Sequence, residues 1–144
     1  MKVNIKKLNE KAIIPAYGTE FSAGADLYNL DECVTIDPRK TVLIHTGIAV
    51  EIPVGYCGLI FARSGLATKR GLAPANKVGV IDCDYRGEVM VALHNHSEVE
   101  QTVAKGERIA QLVITPYVVA DFEEADELSE TVRGEGGFGS TGTK

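Results

Sequence analysis

Apolar residues come in short bursts along this chain rather than in helical stripes. The segments "TVLIHTGIAVEIP" from Thr41, "GYCGLIFARSG" from Gly55, "GEVMVALHNH" from Gly87 and "RIAQLVITPYVVADFEE" from Arg108 are rich in Val and Ile, with Gly, Pro or Asp at the breaks. Such runs predict short β-strands. "VNIKKL" near the start and "CVTID" before Pro38 predict edge strands. Only "SGLATKRG", Ser64 to Gly71, reads well as a helix, with Ser64 expected to cap its N-terminus and Gly71 to end it. The acidic "EEADELSE" is a second helical candidate. Many short strands at close spacing and no internal repeat predict an all-β barrel or sandwich.

Composition narrows the function. The length of 144 residues suits one domain, and 44% hydrophobic residues supply a core. The net charge of −5 argues against non-specific nucleic-acid binding, which needs a basic surface. It leaves room for a small phosphorylated ligand held by a few local cations. No apolar run reaches the roughly 18 residues of a membrane span, and "MKVNIKKLNEKAIIP" lacks a signal-peptide core, so a cytoplasmic or otherwise intracellular protein is expected. The 3 cysteines, Cys33, Cys57 and Cys83, form no CxxC pair, and structural thiols are expected. "HNH", His94 to His96, would put two histidines on one strand face, but no third metal ligand is indicated.

Several segments carry polar groups where strands break. "GVIDCDYRGEV", Gly79 to Val89, reads as a β-hairpin with Asp82, Asp84, Tyr85 and Arg86 near its tip. It is either a simple polar turn or a pocket offering backbone donors and acceptors to a flat ligand, a carboxylate to a water and a ring to a sugar. "ARSG", Ala62 to Gly65, puts Arg63 and Ser64 where a strand meets a helix N-terminus, which suits an anion. "AGADLYN" places Asp26 at a strand start, and "GERIAQL" follows a turn glycine with a strand bearing Arg108 and Gln111. The ending "RGEGGFGSTGTK" sets Arg133, Phe138, Ser140 and Thr141 on a glycine-rich stretch that has nothing of its own to bury.

In this order, "AGADLYN", "ARSGLA", "GVIDCDYRGEV", "GERIAQL" and "RGEGGFGSTG" resemble the five motifs of the trimeric dUTPase family. The resemblance runs from about Lys2 to the end of the chain. It departs at Ala62, where the family usually has proline, and at Asn29, often a serine.

The resemblance implies a jelly-roll-like β-barrel, a homotrimer with sites between subunits, and Mg²⁺-dependent cleavage of dUTP to dUMP and pyrophosphate. It implies that Asp82 activates the attacking water and that Tyr85 packs on the deoxyribose. Asn76 and the backbone of Gly79, Val80 and Ile81 would read the uracil. Arg63, Ser64, Gly65 and Gln111 would hold phosphates, and Asp26 would contact metal-bound water. Arg133, Phe138, Gly139, Ser140 and Thr141 would belong to a lid, residues 133–144, on a barrel domain of residues 1–132. Two alternatives remain: a dCTP deaminase of the same fold, and a nucleotide-sensing regulatory protein.

Overall fold

The computed structural model describes residues 1–138 and residue 140. Among these are twelve strands and one helix: β1 Asn4–Lys7, β2 Ala16–Tyr17, β3 Ala25–Tyr28, β4 Cys33–Ile36, β5 Thr41–His45, β6 Ile48–Glu51, β7 Tyr56–Ala62, α1 Ser64–Arg70, β8 Leu72–Pro74, β9 Gly79–Ile81, β10 Met90–Asn95, β11 Gln101–Ala104 and β12 Arg108–Pro116. The strands form a five-stranded sheet in the order β2-β3-β12-β7-β9, a three-stranded sheet β5-β10-β8, and the pairs β1-β6 and β11-β4. All pairings are antiparallel, and the fold is the expected all-β, jelly-roll-like one.

Inward-facing residues of both larger sheets and of the two strand pairs make the core. Leu27, Ile44, Ile48, Leu72, Val91, Leu93 and Val103 are buried within it. β12, between β3 and β7, is the spine of the larger sheet. Its inner residues Ala110, Leu112 and Ile114 alternate with Gln111, Val113 and Thr115 on the outer side.

Five expectations are corrected. The apolar run from Thr41 is two strands, because Gly47 turns the chain with φ 69 between β5 and β6. A Cβ on Gly47 would stand 3.0 Å from Ala12 Cβ, so both backbone and space demand glycine. "GVIDCDYRGEV" is not a hairpin: β9 pairs with β7, whereas β10 pairs with β5 and β8, so the segment crosses from one sheet to the other. Local sequence marks the strands but not their partners. "EEADELSE" forms no helix, and β12 stops at Pro116, short of "YVVADFEE". Finally, Ser64 does not cap α1. Arg63 holds the N-cap position without a side-chain cap bond, Ser64 is the first helical residue, and Gly71 ends the helix as expected.

Two buried asparagines replace ladder bonds where strands part. Asn29 Nδ2 donates to the carbonyls of Asp31 (3.1 Å), Val103 (3.3 Å) and Ala104 (3.1 Å). Asn95 Nδ2 donates to Ile36 O (2.9 Å) and Val99 O (2.8 Å), while its Oδ1 accepts from Ser97 N and Oγ. The centre of "HNH" is therefore its asparagine. The flanking rings of His94 and His96 meet edge to face with centroids 4.4 Å apart. Burial lowers the His96 pKa, helped by the charge of His94.

Candidate active site

The five-stranded sheet brings one group of polar residues to its outer face. In antiparallel pairing, opposed residues point to the same side. Gln111 on β12 faces Asp26 on β3 and Phe61 on β7, and Arg63 lies two residues past Phe61. Arg108 and Gln111 are three apart, so a regular strand would send them to opposite faces. A register shift between Arg108 and Ala110 sets Arg108 against Tyr28 and so returns it to the face of Asp26 and Gln111.

Asp26 is 4% exposed. Its Oδ1 accepts from Arg63 Nε at 3.0 Å, and its Oδ2 accepts from Arg108 Nη1 at 3.2 Å. Arg63 Nη1 also donates to the Arg108 carbonyl at 3.3 Å. Two guanidiniums against one carboxylate leave one net positive charge, and both cations remain partly open to solvent. The cluster is thus a pre-aligned anion holder, with Ser64 exposed at the start of α1 beside it. Arg108 was given no role by the motif comparison, and the bulge that recruits it leaves no mark in the sequence.

A second group lines a cavity of about 330 Å³ that contains Asn76, Gly79, Val80, Ile81, Asp82, Tyr85 and Glu88. β9 is the last strand of its sheet, so the edge of Gly79–Ile81 away from β7 carries no strand partner among the described residues. Asn76 lies over it: a Cβ on Gly79 would stand 3.3 Å from Asn76 Nδ2. Past β9 the chain turns through Asp82, whose carbonyl accepts from Tyr85 N at 3.2 Å. Asp82 is exposed, and its carboxylate makes no hydrogen bond or ion pair among the described residues. The Tyr85 hydroxyl donates to Glu88 O at 2.9 Å, which folds the ring back over Gly87. Arg86 braces the turn through the carbonyls of Cys83 (2.7 Å) and Tyr85 (3.0 Å).

None of Asp26, Arg63, Ser64, Gly65 or Gln111 lines that cavity. The expected site residues therefore fall into two groups within one chain: a cavity with a flat backbone edge, and a cationic cluster. A third group lies at the C-terminal end. Arg133 Nε donates to Gly136 O at 2.7 Å, and Phe138 and Ser140 are exposed. Gly139 and Thr141 lie outside the described residues.

Comparison with known proteins identifies the family. A family model described as dUTPase matches residues 10–142. The chain is 51% identical over 144 residues to the deoxyuridine 5'-triphosphate nucleotidohydrolase of Hydrogenobaculum sp., covering 100% of each. It is 54% identical over 142 residues to the protein of that name from Nautilia profundicola, covering 99% of each. Among solved structures, the dUTPase of Staphylococcus bacteriophage 80alpha with dUPNHPP matches with a TM-score of 0.91 at 31% identity, covering 98% of each chain. A mutant dUTPase from phage phi11 of S. aureus, whose structure concerns the coordination of a structural Mg(II) ion, gives 0.79 at 26% identity, covering 88% of this chain and 98% of that one. With the family model spanning most of its length and full-length relatives at half identity, the chain belongs to the dUTPase family.

Proposed function

We propose that this chain hydrolyses dUTP to dUMP and pyrophosphate by attack of water on the α-phosphorus, as an intracellular homotrimer whose sites are shared between subunits. The observation that carries the reading is the unpaired edge of Gly79–Ile81 beside the 330 Å³ cavity. A pyrimidine presents donors and acceptors along one flat edge, and a free strand edge meets them with fixed backbone groups. Asn76 adds a side-chain amide at the same edge. Backbone pressed against the ring leaves little slack for the extra methyl of thymine.

Asp82 follows that strand directly, so a base seated on Gly79–Ile81 brings the sugar and α-phosphate near its carboxylate. An exposed, unpaired carboxylate can take the proton of an attacking water. Tyr85 stands on the same turn, where its ring would pack on the deoxyribose and crowd a 2′-hydroxyl. Arg63, Ser64, Gly65 and Gln111 would hold the phosphates, and Arg108 adds a cation to them. Because these residues do not line the cavity of their own chain, the reading has a neighbouring subunit supply them. The glycine-rich end, residues 133–144, would then close over the nucleotide, with Phe138 on the base and Arg133 on the terminal phosphate.

The same donor set suits magnesium. Among the described residues no three His, Cys, Asp or Glu side chains gather as a metal cage. Mg²⁺ keeps several waters and takes phosphate oxygens readily, so it would ride on the triphosphate, with Asp26 reached through water. When bound it would neutralise phosphate charge and polarise the reacting phosphoryl group.

The test is to offer each nucleoside triphosphate separately and measure pyrophosphate and ammonia. Pyrophosphate should form from dUTP at a rate more than about 200-fold above that from dTTP or UTP, beyond what a soft pocket achieves. Ammonia from dCTP would overturn the reading in favour of a deaminase. Tight nucleotide binding without turnover would overturn it in favour of a regulatory protein.

A further inference from the structure

Glu88 has no part in the proposed reaction, yet it lines the cavity beside Asp82 and Tyr85. Its carboxylate reaches across to the turn between β5 and β6. Oε1 accepts from Gly47 N at 2.7 Å, and Oε2 accepts from His45 Nδ1 at 2.9 Å. Its own carbonyl is the acceptor for the Tyr85 hydroxyl. One residue therefore grips a rigid turn with its side chain and the aromatic ring with its backbone. The turn cannot follow a loose loop, since Gly47 is packed against Ala12 and fixed at φ 69.

The two grips act at different strengths. The Tyr85 bond is a neutral, half-exposed contact and is correspondingly weak. The Glu88 bonds involve a charged acceptor held mostly away from water, which makes them stronger and more directional. If the carboxylate lets go, the carbonyl that steers Tyr85 is held only through its own peptide unit, by the bond from Val89 N to Ile48 O. Tyr85 is 42% exposed, with its ring lying over Gly87.

We propose that Glu88, clamped by His45 and Gly47, is a positioning residue that sets the angle of the Tyr85 ring and through it the discrimination between deoxyribose and ribose. The proposal rests on the reading of Tyr85 as the sugar gate. It assigns Glu88 no contact with the nucleotide. It predicts that losing the clamp changes the choice between two substrates more than it changes the rate with the better one.

The experiment compares kcat/KM for dUTP and UTP in Glu88→Ala, Glu88→Gln, His45→Asn and Tyr85→Ala, with melting temperatures alongside. Glu88→Ala should lower the dUTP-to-UTP ratio by about tenfold, within the range that pocket-shape changes reach. Glu88→Gln keeps an acceptor for Gly47 N and should lose less of the ratio; His45→Asn should also lose less. Glu88→Ala should add little to Tyr85→Ala in the double variant, since both act on one ring. A purely structural Glu88 would lower both substrates in parallel with melting temperature and leave the ratio fixed, which overturns the proposal. Should Glu88→Ala fail to fold, an unchanged ratio in both Glu88→Gln and His45→Asn overturns it equally. If Tyr85→Ala itself leaves the ratio unchanged, the sugar-gate reading is what fails, and the clamp proposal falls with it. If Tyr85→Ala lowers the ratio and the Glu88 variants do not, only the clamp is overturned.

Discussion

The ring of Tyr85 occupies the space that a side chain on Gly87 would need: a Cβ there would lie 2.6 Å from the ring's Cζ. The obstacle is the end of a half-exposed side chain, so it can swing aside. Gly87→Ala should therefore cost less than about 1 kcal/mol of stability while displacing the ring. Its denaturant midpoint should stay near wild type as relative use of UTP rises. A large stability loss with unchanged substrate choice would show that the ring is not where selection happens.

Asp82→Asn preserves shape but removes the proton acceptor. A lost general base costs about 10²–10⁴ in rate. The fall should appear in kcat, with binding of a non-hydrolysable dUTP analogue nearly unchanged. Near-normal turnover would remove Asp82 from the role of base.

Asp26 holds both Arg63 and Arg108, so Asp26→Ala leaves two guanidiniums to repel each other. Removing one partner of a fully buried pair costs about 3–5 kcal/mol, and the open side of Arg108 should reduce that to about 2–4. Denaturant unfolding gives the stability term. Steady-state kinetics should show KM for dUTP rising along with it, because the freed arginines no longer present one fixed fork to phosphate. A stable variant with unchanged KM would mean the cluster is neither structural nor phosphate-facing.

The hydrogen bond to Glu88 raises the His45 pKa above its ordinary 6.5. Burial pushes the Glu88 carboxyl up, but the bonds from His45 and Gly47 outweigh it and hold the pKa below 4.5. A raised histidine pKa stabilises the fold fully below 6.5 and loses that contribution as pH climbs through the folded value. A lowered carboxylate pKa stabilises fully above 4.5 and loses its contribution as pH falls through the folded value. The difference in denaturant midpoint between wild type and His45→Asn should therefore be greatest between 4.5 and 6.5 and shrink on either side. A difference that is flat from acid to mildly alkaline pH would separate the pair from the titration.

Shared sites can be tested by pairing two defects. One chain carries Asp82→Asn; the other ends at Val132 and so lacks Phe138. Each variant alone should be nearly inactive. If the chain assembles as the proposed homotrimer with shared sites, mixed assemblies formed by co-refolding should regain activity, because an intact Asp82 and an intact C-terminal end then meet in one site. No recovery at any mixing ratio would place the lid on its own subunit.

The Val- and Ile-rich strands were legible in the sequence because such runs broken by Gly and Pro leave few other options, whereas the short β2, β8 and β11 were not. Partners were not legible either. "GVIDCDYRGEV" has every local mark of a hairpin, yet β9 and β10 join different sheets, since which strand lies alongside is decided by distant residues such as Gly58 and Ile60. Apart from Asn76, the polar residues of both groups fall within the five motifs. Those motifs could not foretell that Asp26 faces two arginines, because the bulge before Ala110 depends on backbone register rather than residue type. Asn29 looked like a minor departure from serine. Its amide in fact serves three carbonyls, and a hydroxyl could not reach them all. A polar residue inside a mostly apolar stretch reads as a surface position until the carbonyls around it are known.

The two buried asparagines also bear on how the protein ages. Asparagine decays when the amide nitrogen of the following residue attacks its side-chain carbonyl, and the aspartate that results would set a carboxylate against the carbonyls of Ile36 and Val99 at Asn95. At both positions that nitrogen is already committed. His96 N donates to Gly71 O at 2.8 Å, and Leu30 N donates to His45 O at 2.9 Å. The bonds that stitch neighbouring strands together thus withhold the attacking atom as well. Chemical wear should fall first on exposed asparagines such as Asn9, where a new carboxylate can still accept from Lys11 N and the barrel survives the change.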